Sequence, residues 1–210
     1  MKSEVFNTDC LEAMKSYPDN YFELAIVDPP YGIGEANEKR MASRGCSKYK
    51  SGDWDLQPAS KEYFIELQRV SQNQIIWGAN HFIENIPNAN SPCWLFWDKD
   101  GFADFADGEL ALCSFKTSVR KFKWTWDGFR KQSPENRIHP TQKPVALYRW
   151  LLQNYAKEGD KILDTHLGSG SSRIAADMEG YNFTGYELDK DYFEASVKRF
   201  NDYKQQIKLL

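Results

Sequence analysis

Residues 22–28 (FELAIVD) form a short, almost continuously apolar run that ends in an aspartate followed by two prolines. A strand with one face in water alternates apolar and polar residues, whereas an unbroken apolar run is typical of a strand buried on both faces. Pro29 and Pro30 carry no backbone N–H group, so the strand has to end near Asp28. The run therefore predicts a central strand of a parallel sheet, with helices packed on both of its faces.

The rest of the chain repeats this pattern, because short apolar runs are separated by amphipathic stretches with helical spacing. This order predicts a doubly wound α/β fold with a mostly parallel sheet of about seven strands. We expect one domain over residues 1–210. Residues 108–115 and 119–126 alternate in character and predict an antiparallel pair near the edge of the sheet. Residues 32–60 are polar and rich in basic residues, and they predict a long mobile loop.

Composition excludes several classes of protein. Of the 210 residues, 41% are hydrophobic and 27% are charged, which is typical of a soluble globular domain. There is no apolar run long enough to cross a bilayer and no signal peptide, so we expect a cytoplasmic protein without a membrane partner. The four cysteines lack CxxC spacing and the three histidines are far apart, so we expect neither a metal site nor a disulfide framework.

The net charge is −3, but the basic residues are clustered in two segments. One segment spans residues 36–50 and the other spans residues 116–131, and each contains a single acid. Two solvated loops and one face that binds a polyanion explain this clustering equally well. The residues that would contact a polyanion are Lys39, Arg40, Arg44, Lys48, Lys50, Arg120, Lys121 and Lys123.

A second strand end suggests a nucleoside ligand. Residues 163–172 (LDTHLGSGSS) end a strand at Asp164 and continue through a glycine turn, and Glu187 ends the next strand about twenty residues later. The glycines alone predict only a strand-to-helix turn, but an acid at each strand end suits ribose hydroxyl groups. The segment matches neither the dinucleotide nor the triphosphate motif. A ligand with a positive centre and an amine fits such acids, and S-adenosylmethionine has both.

At this point the chain resembles the amino-group DNA methyltransferases, which modify adenine N6 or cytosine N4. The resemblance is carried by DPPYG at 28–32, HPTQKP at 139–144, LDTHLGSGSS at 163–172 and GYELDKDYFEAS at 185–196. It covers nearly the whole chain, and the catalytic motif precedes the cofactor loop, as in the permuted β-type motif order. The resemblance implies a Rossmann-like fold, S-adenosylmethionine as cofactor, double-stranded DNA as partner, and a bacterial or phage origin. The oligomeric state stays open, with a homodimer among the options.

The resemblance assigns catalysis to Asp28, Pro29, Pro30 and Tyr31. The exocyclic amine of a base is a poor nucleophile because its lone pair is delocalised into the ring. In the family, the carboxylate and a proline carbonyl accept hydrogen bonds from the amine, and the tyrosine ring stacks on the extruded base. Adenine N6 is favoured, because the family's cytosine N4 enzymes more often carry serine in place of Asp28. An RNA or free-base substrate and a catalytically inactive nucleic-acid-binding homologue remain alternatives.

The resemblance also implies a set of cofactor contacts, together with a reading segment for the target sequence at about residues 88–137. Donors in the HPTQKP segment would hold the carboxylate of the cofactor. The chain departs from the family at Thr165-His166, where the family usually has Pro-Phe. The implied cofactor-binding residues are Asp9, Cys10, Asp28, His139, Thr141, Gln142, Lys143, Asp164, His166, Gly168, Ser169, Gly170, Ser171, Ser172, Glu187 and Leu188.

Overall fold

The computed structural model describes residues 1–34, 52, 54–101, 106–126 and 131–207. Five of the predicted DNA contacts, and most of the predicted basic loop, lie outside these residues. These five are Lys39, Arg40, Arg44, Lys48 and Lys50. Within the described ranges, no helix combines the length and the apolar character that crossing a bilayer requires.

Strands and helices follow one another much as the apolar pattern predicts. The strands are β1 (Ser3–Phe6), β2 (Phe22–Val27), β3 (Ser71–Trp77), β4 (Trp94–Asp98), β5 (Gly108–Cys113), β6 (Arg120–Lys123), β7 (Lys161–Asp164) and β8 (Asn182–Tyr186). The α-helices are α1 (Cys10–Met14), α2 (Lys61–Val70), α3 (Val145–Tyr155), α4 (Ser171–Glu179) and α5 (Lys190–Ile207). Two 3₁₀ turns at Ala79–His81 and Ile83–Asn85 follow β3.

The strands form one eight-stranded sheet in the order β1-β8-β7-β2-β3-β5-β4-β6. The first five are parallel to one another, β5 is antiparallel to both β3 and β4, and β6 is parallel to β4. The mostly parallel sheet confirms the predicted fold class. The prediction that residues 108–115 and 119–126 pair with each other is wrong. Both edges of β5 are already hydrogen-bonded, to β3 and to β4, so β6 can pair only with the outer edge of β4.

Successive residues of β2 point to opposite faces of the sheet, and both faces are buried. Leu24 and Ile26 pack into the apolar cluster that contains residues of α3, α4 and α5. Ala25 and Val27 pack into the cluster on the other face, which contains residues of α1 and α2. Helices therefore cover both faces, which explains why this strand is an unbroken apolar run.

The position of the site follows from the strand order. β7 and β2 are parallel neighbours, yet the chain leaves β7 towards β8 and leaves β2 towards β3, in opposite directions along the sheet. The two crossovers diverge and leave a crevice at the carboxyl ends of β7 and β2. Doubly wound folds bind their ligands at such a switch point.

Substitution of Leu147 tests the apolar core between α3 and the sheet. Its side chain is 0% exposed, so the Leu147→Ala variant should lose about 2–5 kcal/mol of unfolding free energy through lost burial and a cavity. The matched control is Ile65→Ala on α2, where the side chain is 48% exposed and the change should stay within about 0.5 kcal/mol. Urea unfolding of both variants measures the difference. Equal shifts in the two midpoints would contradict this packing.

Candidate active site

The crevice at the carboxyl ends of the strands opens into a cavity of about 1370 Å³. Among the described residues, its walls come from the ends of seven strands, all but β6, and from the segment before α3. The lining includes Asp9 and Cys10 after β1, Asp28–Tyr31 after β2, Glu109 on β5, His139–Lys143 before α3, His166–Ser169 after β7, and Glu187 and Leu188 after β8. The predicted catalytic segment and most of the predicted cofactor contacts thus meet in one cavity.

The glycine loop is tied to the end of β8. The backbone N–H of Gly168 donates to Glu187 Oε2 at 2.8 Å, and the N–H of Leu167 donates to the carbonyl of Tyr186 at 2.8 Å. Gly168 has φ +50°, and a Cβ atom there would point towards the ring of His139 across the cavity wall. Glycine therefore keeps this part of the loop backbone accessible from the cavity.

Three predicted cofactor residues of this loop do not line the cavity. Both carboxylate oxygens of Asp164 point into the loop, where Oδ1 accepts from the N–H of His166 at 3.0 Å and Oδ2 accepts from Ser172 Oγ at 2.5 Å. Gly170 has φ +72°, and a Cβ atom on it would lie 3.4 Å from Ser196 Cβ on α5. Asp164, Gly170 and Ser172 therefore lie on the side of the loop away from the cavity, whereas Gly168, Ser169 and Ser171 line it.

Arg199 on α5 holds the loop from the same side. Its guanidinium group donates to the carbonyl of Ser169 and to Ser171 Oγ, both at 2.9 Å, and to Glu135 Oε2 at 2.8 Å. Glu135 also accepts from the N–H of Val145 at 3.2 Å, so this acid caps α3. The loop, the final helix and the start of α3 form one connected unit, which no sequence motif indicated.

At the end of β8 and the start of α1, polar and apolar groups face the cavity together. Glu187 accepts from two loop N–H groups, and the side chain of Leu188 is 70% exposed although it lines the cavity. Asp9 Oδ1 caps α1 by accepting from the N–H groups of its first turn. Burial raises the pKa of the Cys10 thiol to about 12, so this group is neutral. The arrangement offers acids for hydroxyl or amino groups next to an apolar surface for a flat ring.

Two of the three histidines that line the cavity, His139 and His166, are neutral aromatic rings. Burial lowers the pKa of His139 to about 3 and that of His166 to about 4. His139 packs edge-on against Tyr192 at 4.3 Å, and its Nδ1 faces the N–H and hydroxyl groups of Thr141. His166 packs edge-on against Tyr63 at 5.3 Å. His166 thus presents a flat, uncharged ring where the family usually has phenylalanine.

The HPTQKP segment differs in detail from the prediction that its donors hold the cofactor carboxylate. Gln142 uses its side-chain amide within the protein, where Oε1 accepts from the N–H of Ile138 at 2.9 Å and Nε2 donates to the carbonyl of Asn136 at 3.2 Å. The ammonium group of Lys143 is buried and contacts Asp28 Oδ2 at 2.5 Å. The segment therefore connects the start of α3 to the DPPY motif.

The DPPY segment, which is predicted to be catalytic, is held on several sides. Tyr31 donates through its hydroxyl group to Asp28 Oδ1 at 2.7 Å, and its ring stacks on His81 at 5.0 Å. The N–H groups of Tyr31 and Gly32 both donate to Asp55 Oδ1, at 2.7 and 2.9 Å. Gly78 has φ +69°, and any Cβ there would overlap the Tyr31 ring. Neighbouring groups thus fix the backbone of this turn and the position of the Tyr31 ring.

Glu109 lines the cavity beside Asp28 and Lys143, and no sequence motif indicates it. Its carboxylate accepts from Lys143 at 2.9 Å and from Lys99 at 2.5 Å, so Lys143 lies between two acids. The only sequence signal was an acid on an otherwise apolar strand, and its partner Lys143 lies in a distant segment. Asp28, Glu109, Lys143 and Lys99 form a chain of two acids and two bases, which we call the charge cluster.

The two acids of the charge cluster have pKa values displaced in opposite directions. Burial raises the pKa of Asp28, Lys143 opposes this rise, and the charge of Glu109 adds to it. Burial also disfavours ionisation of Glu109, but Lys143 and Lys99 outweigh it and hold the pKa of Glu109 well below its ordinary value. Burial disfavours the charged form of Lys143, and the two acids outweigh it, so its pKa is raised.

The remaining predicted DNA contacts lie on β6, away from the cavity walls. Arg120, Lys121 and Lys123 are exposed on the edge strand. Lys121 pairs with Asp98 at 3.2 Å and Lys123 pairs with Asp100 at 2.9 Å. Two of the three positive charges are therefore offset. Among the residues that the structure describes, there is no group of His, Cys, Asp and Glu side chains placed to hold a metal ion.

The raised pKa of Asp164 predicts an unusual pH dependence of the free energy of unfolding. Burial raises its pKa to about 7, while an unfolded aspartate has a pKa of about 3.9. The folded state then binds more protons than the unfolded state between about pH 4 and 7, so the contribution of Asp164 falls as pH rises through this window. Its limiting slope is about 1.4 kcal/mol per pH unit.

The Asp164→Asn variant should flatten this fall when urea unfolding is measured across the same pH window. Asn has the same shape and can still pair with His166 and Ser172. The matched control is Asp202→Asn on α5, which removes an exposed ion pair with Lys198 and should leave the profile nearly unchanged. Parallel profiles for wild type and Asp164→Asn would contradict the assigned environment.

Comparison with known proteins identifies the family. The N6/N4 methyltransferase family model, described as DNA methylase, matches residues 72–198. The type II methyltransferase M2.MboI of Moraxella bovis is 21% identical over 253 residues, with 97% of this chain and 92% of that protein covered.

Two solved structures share the fold. The M1.HpyAVI–SAM complex has a TM-score of 0.60 and 19% identity, with 96% of this chain and 100% of that chain covered. The cytosine-N4-specific PvuII DNA methyltransferase has a TM-score of 0.63 and 13% identity, with 95% and 86% covered. The family match spans more than half of this chain and includes both the glycine loop and the HPTQKP segment, so the chain belongs to the N6/N4 DNA methyltransferase family.

Proposed function

We propose that this protein transfers a methyl group from S-adenosylmethionine to the N6 amino group of adenine in double-stranded DNA. The observation that carries the proposal is the meeting of Asp28 and Tyr31 with the glycine loop and Glu187 in one cavity. A carboxylate suited to an amine and a nucleoside-type loop lie on adjacent parallel strands, so donor and acceptor can be held side by side.

The chemistry of the cavity fits S-adenosylmethionine. Glu187 and Asp9 are acids that can accept from ribose hydroxyl and adenine amino groups. Leu188 and the neutral ring of His166 provide apolar surface for a flat base. Gly168 lets the ligand approach the loop backbone. When bound, S-adenosylmethionine supplies a methyl group activated by a sulfonium centre.

The residues of the chain then have separable roles. Asp28 accepts a hydrogen bond from the target amine, together with a proline carbonyl of the same turn, which localises the lone pair of the amine. The raised pKa of Asp28 also suits it to accept the proton that the methylated amine must lose. Tyr31 offers a ring on which the extruded base stacks.

Adenine is proposed over cytosine because Asp28 occupies the position where the family's N4 enzymes more often have serine. The N4-cytosine reaction is the second candidate, since the PvuII enzyme shares the fold. The protein can be expressed in a host without DNA methyltransferases of its own. The DNA of that host is then digested to nucleosides and analysed by mass spectrometry. N6-methyladenine supports the proposal, whereas N4-methylcytosine alone would establish the alternative. Unmodified DNA would contradict both.

The Asp28→Ala variant should lose methyl transfer by about 10²-fold or more, because a positioned polar group is missing in the transition state. Affinity for S-adenosylmethionine should change far less, since the glycine loop and Glu187 are intact. Methyl transfer from labelled cofactor and calorimetry measure the two quantities. The matched control is Asp19→Ala, an exposed acid that pairs with Arg69. Substantial turnover by a pure Asp28→Ala preparation would disprove the role of Asp28.

DNA contact by β6 is a proposal that rests on its exposed cations. β6 is parallel to β4, and Lys123 lies beside Asp98 at the carboxyl end of β4. The carboxyl end of β6 therefore lies at the same end of the sheet as the cavity. Each phosphate contact adds about −0.9 to the slope of log affinity against log salt. Replacing Arg120, Lys121 and Lys123 by Ala should flatten the slope by about one to two units, because Asp98 and Asp100 already offset part of the charge.

The same measurement with Lys39, Arg40 and Arg44 replaced by Ala tests the other basic segment, for which we expect a change of about two to three units. Lys198→Ala on α5 serves as a control for loss of an exposed lysine. Parallel lines of equal affinity for all variants would show that neither segment contacts DNA.

A further inference from the structure

Two hydrogen-bond donors in the cavity are shared between Asp28 and Glu109. The Tyr31 hydroxyl lies 2.7 Å from Asp28 Oδ1 and 3.3 Å from Glu109 Oε2. The Lys143 ammonium lies 2.5 Å from Asp28 Oδ2 and 2.9 Å from Glu109 Oε2. Either donor can therefore shorten its contact with Glu109 through a small side-chain movement, without losing a charged partner.

This sharing matters because both oxygens of Asp28 are engaged. One accepts from Tyr31 and the other accepts from Lys143. A target amine that approaches the carboxylate competes with both donors. Releasing a buried ammonium or hydroxyl group without a new acceptor would be costly. A second acceptor within reach of both donors would lower this cost when the amine binds.

We propose that Glu109 is a positioning residue for the methyl transfer, which receives the Tyr31 hydroxyl and the Lys143 ammonium and so frees Asp28 for the target amine. This inference rests on the proposed function of the cavity. Glu109 lines the same cavity, and its second oxygen binds Lys99. The charge cluster contains two acids and two bases, so the exchange moves donors within a set that is neutral overall.

The opposite pKa displacements of Asp28 and Glu109 agree with these separate roles, in which Glu109 receives the donors and Asp28 binds the amine. The pKa of Glu109 is held well below its ordinary value, so Glu109 is ionised at neutral pH and can act as an acceptor there. Asp28 is the acid whose charge depends on its neighbours, and groups on several elements act on it. The groups that face Asp28 are Lys143, Glu109, Tyr31, Tyr63, Tyr148 and Asp164.

The Glu109→Gln variant tests the proposal, since glutamine keeps the size of the side chain and removes its charge. Lys143 and Tyr31 should then stay on Asp28. We expect kcat to fall by about 10- to 100-fold, the range given by loss of a hydrogen bond to a charged group. The affinity for S-adenosylmethionine should stay within about twofold, because the glycine loop is unchanged.

The pH dependence separates positioning from a merely structural role. Removing the charge of Glu109 takes away repulsion that raises the pKa of Asp28. The acid limb of the kcat profile should therefore shift to lower pH. Carbon-13 NMR of protein labelled at aspartate carboxyl groups, with Asp28→Asn for assignment, measures the same shift in the absence of substrate.

The matched control is Glu179→Gln at the end of α4 remote from the glycine loop. Glu179 is also ion-paired, to Arg149 at 2.6 Å, and its side chain is 17% exposed against 22% for Glu109. This variant should keep wild-type kcat and leave the titration of Asp28 unchanged. Melting temperatures of both variants show whether a loss of activity reflects unfolding.

Three results would overturn the inference. A Glu109→Gln enzyme with kcat within twofold of wild type would do so while leaving the proposed function intact. A loss of kcat without any shift in the Asp28 titration would assign Glu109 a structural role only. A wild-type protein that methylates no nucleic acid would refute the proposed function and this inference together, even if the NMR shift were present.

Discussion

The buried ion pair between Lys143 and Asp28 connects the two parts of the chain on which the site depends. Asp28 ends the central strand β2, and Lys143 lies directly before α3, 115 positions away. Removing one partner of a buried ion pair leaves the other charge without full compensation, so the pair ties the HPTQKP segment to the DPPY turn. The side-chain amide of Gln142 also holds this arrangement, because it hydrogen-bonds to the backbone of Ile138 and Asn136.

Around this pair, the cavity walls carry both ionised and neutral groups. The charge cluster occupies the side formed by β2, β5 and the start of α3. On the other side, His139, His166 and Cys10 are held in neutral forms by burial. Glu187 and Asp9 line the cavity on that same side, so acids lie there next to uncharged rings.

The glycine loop shows how far a motif can be interpreted before the structure is known. Glycines, serines and an acid after a strand predicted a ligand loop, and Gly168, Ser169 and Ser171 do line the cavity. The motif could not show that Asp164 and Gly170 face inward, because two residues of one loop can point to opposite sides of the backbone. The outcome depends on Ser196 and Arg199, which α5 brings behind the loop.

The sequence by itself determined the fold class and the approximate location of the site. Apolar periodicity is a local property, and so are the turn residues that end each strand, so both are readable without knowledge of distant contacts. The pairing of β6 with β4, the capping of α3 by Glu135 and the placement of Glu109 beside Asp28 were decided only by the tertiary structure. Each joins residues far apart in the chain, and the free energy that selects such contacts comes from burial and charge pairing, which exist only once the chain has folded.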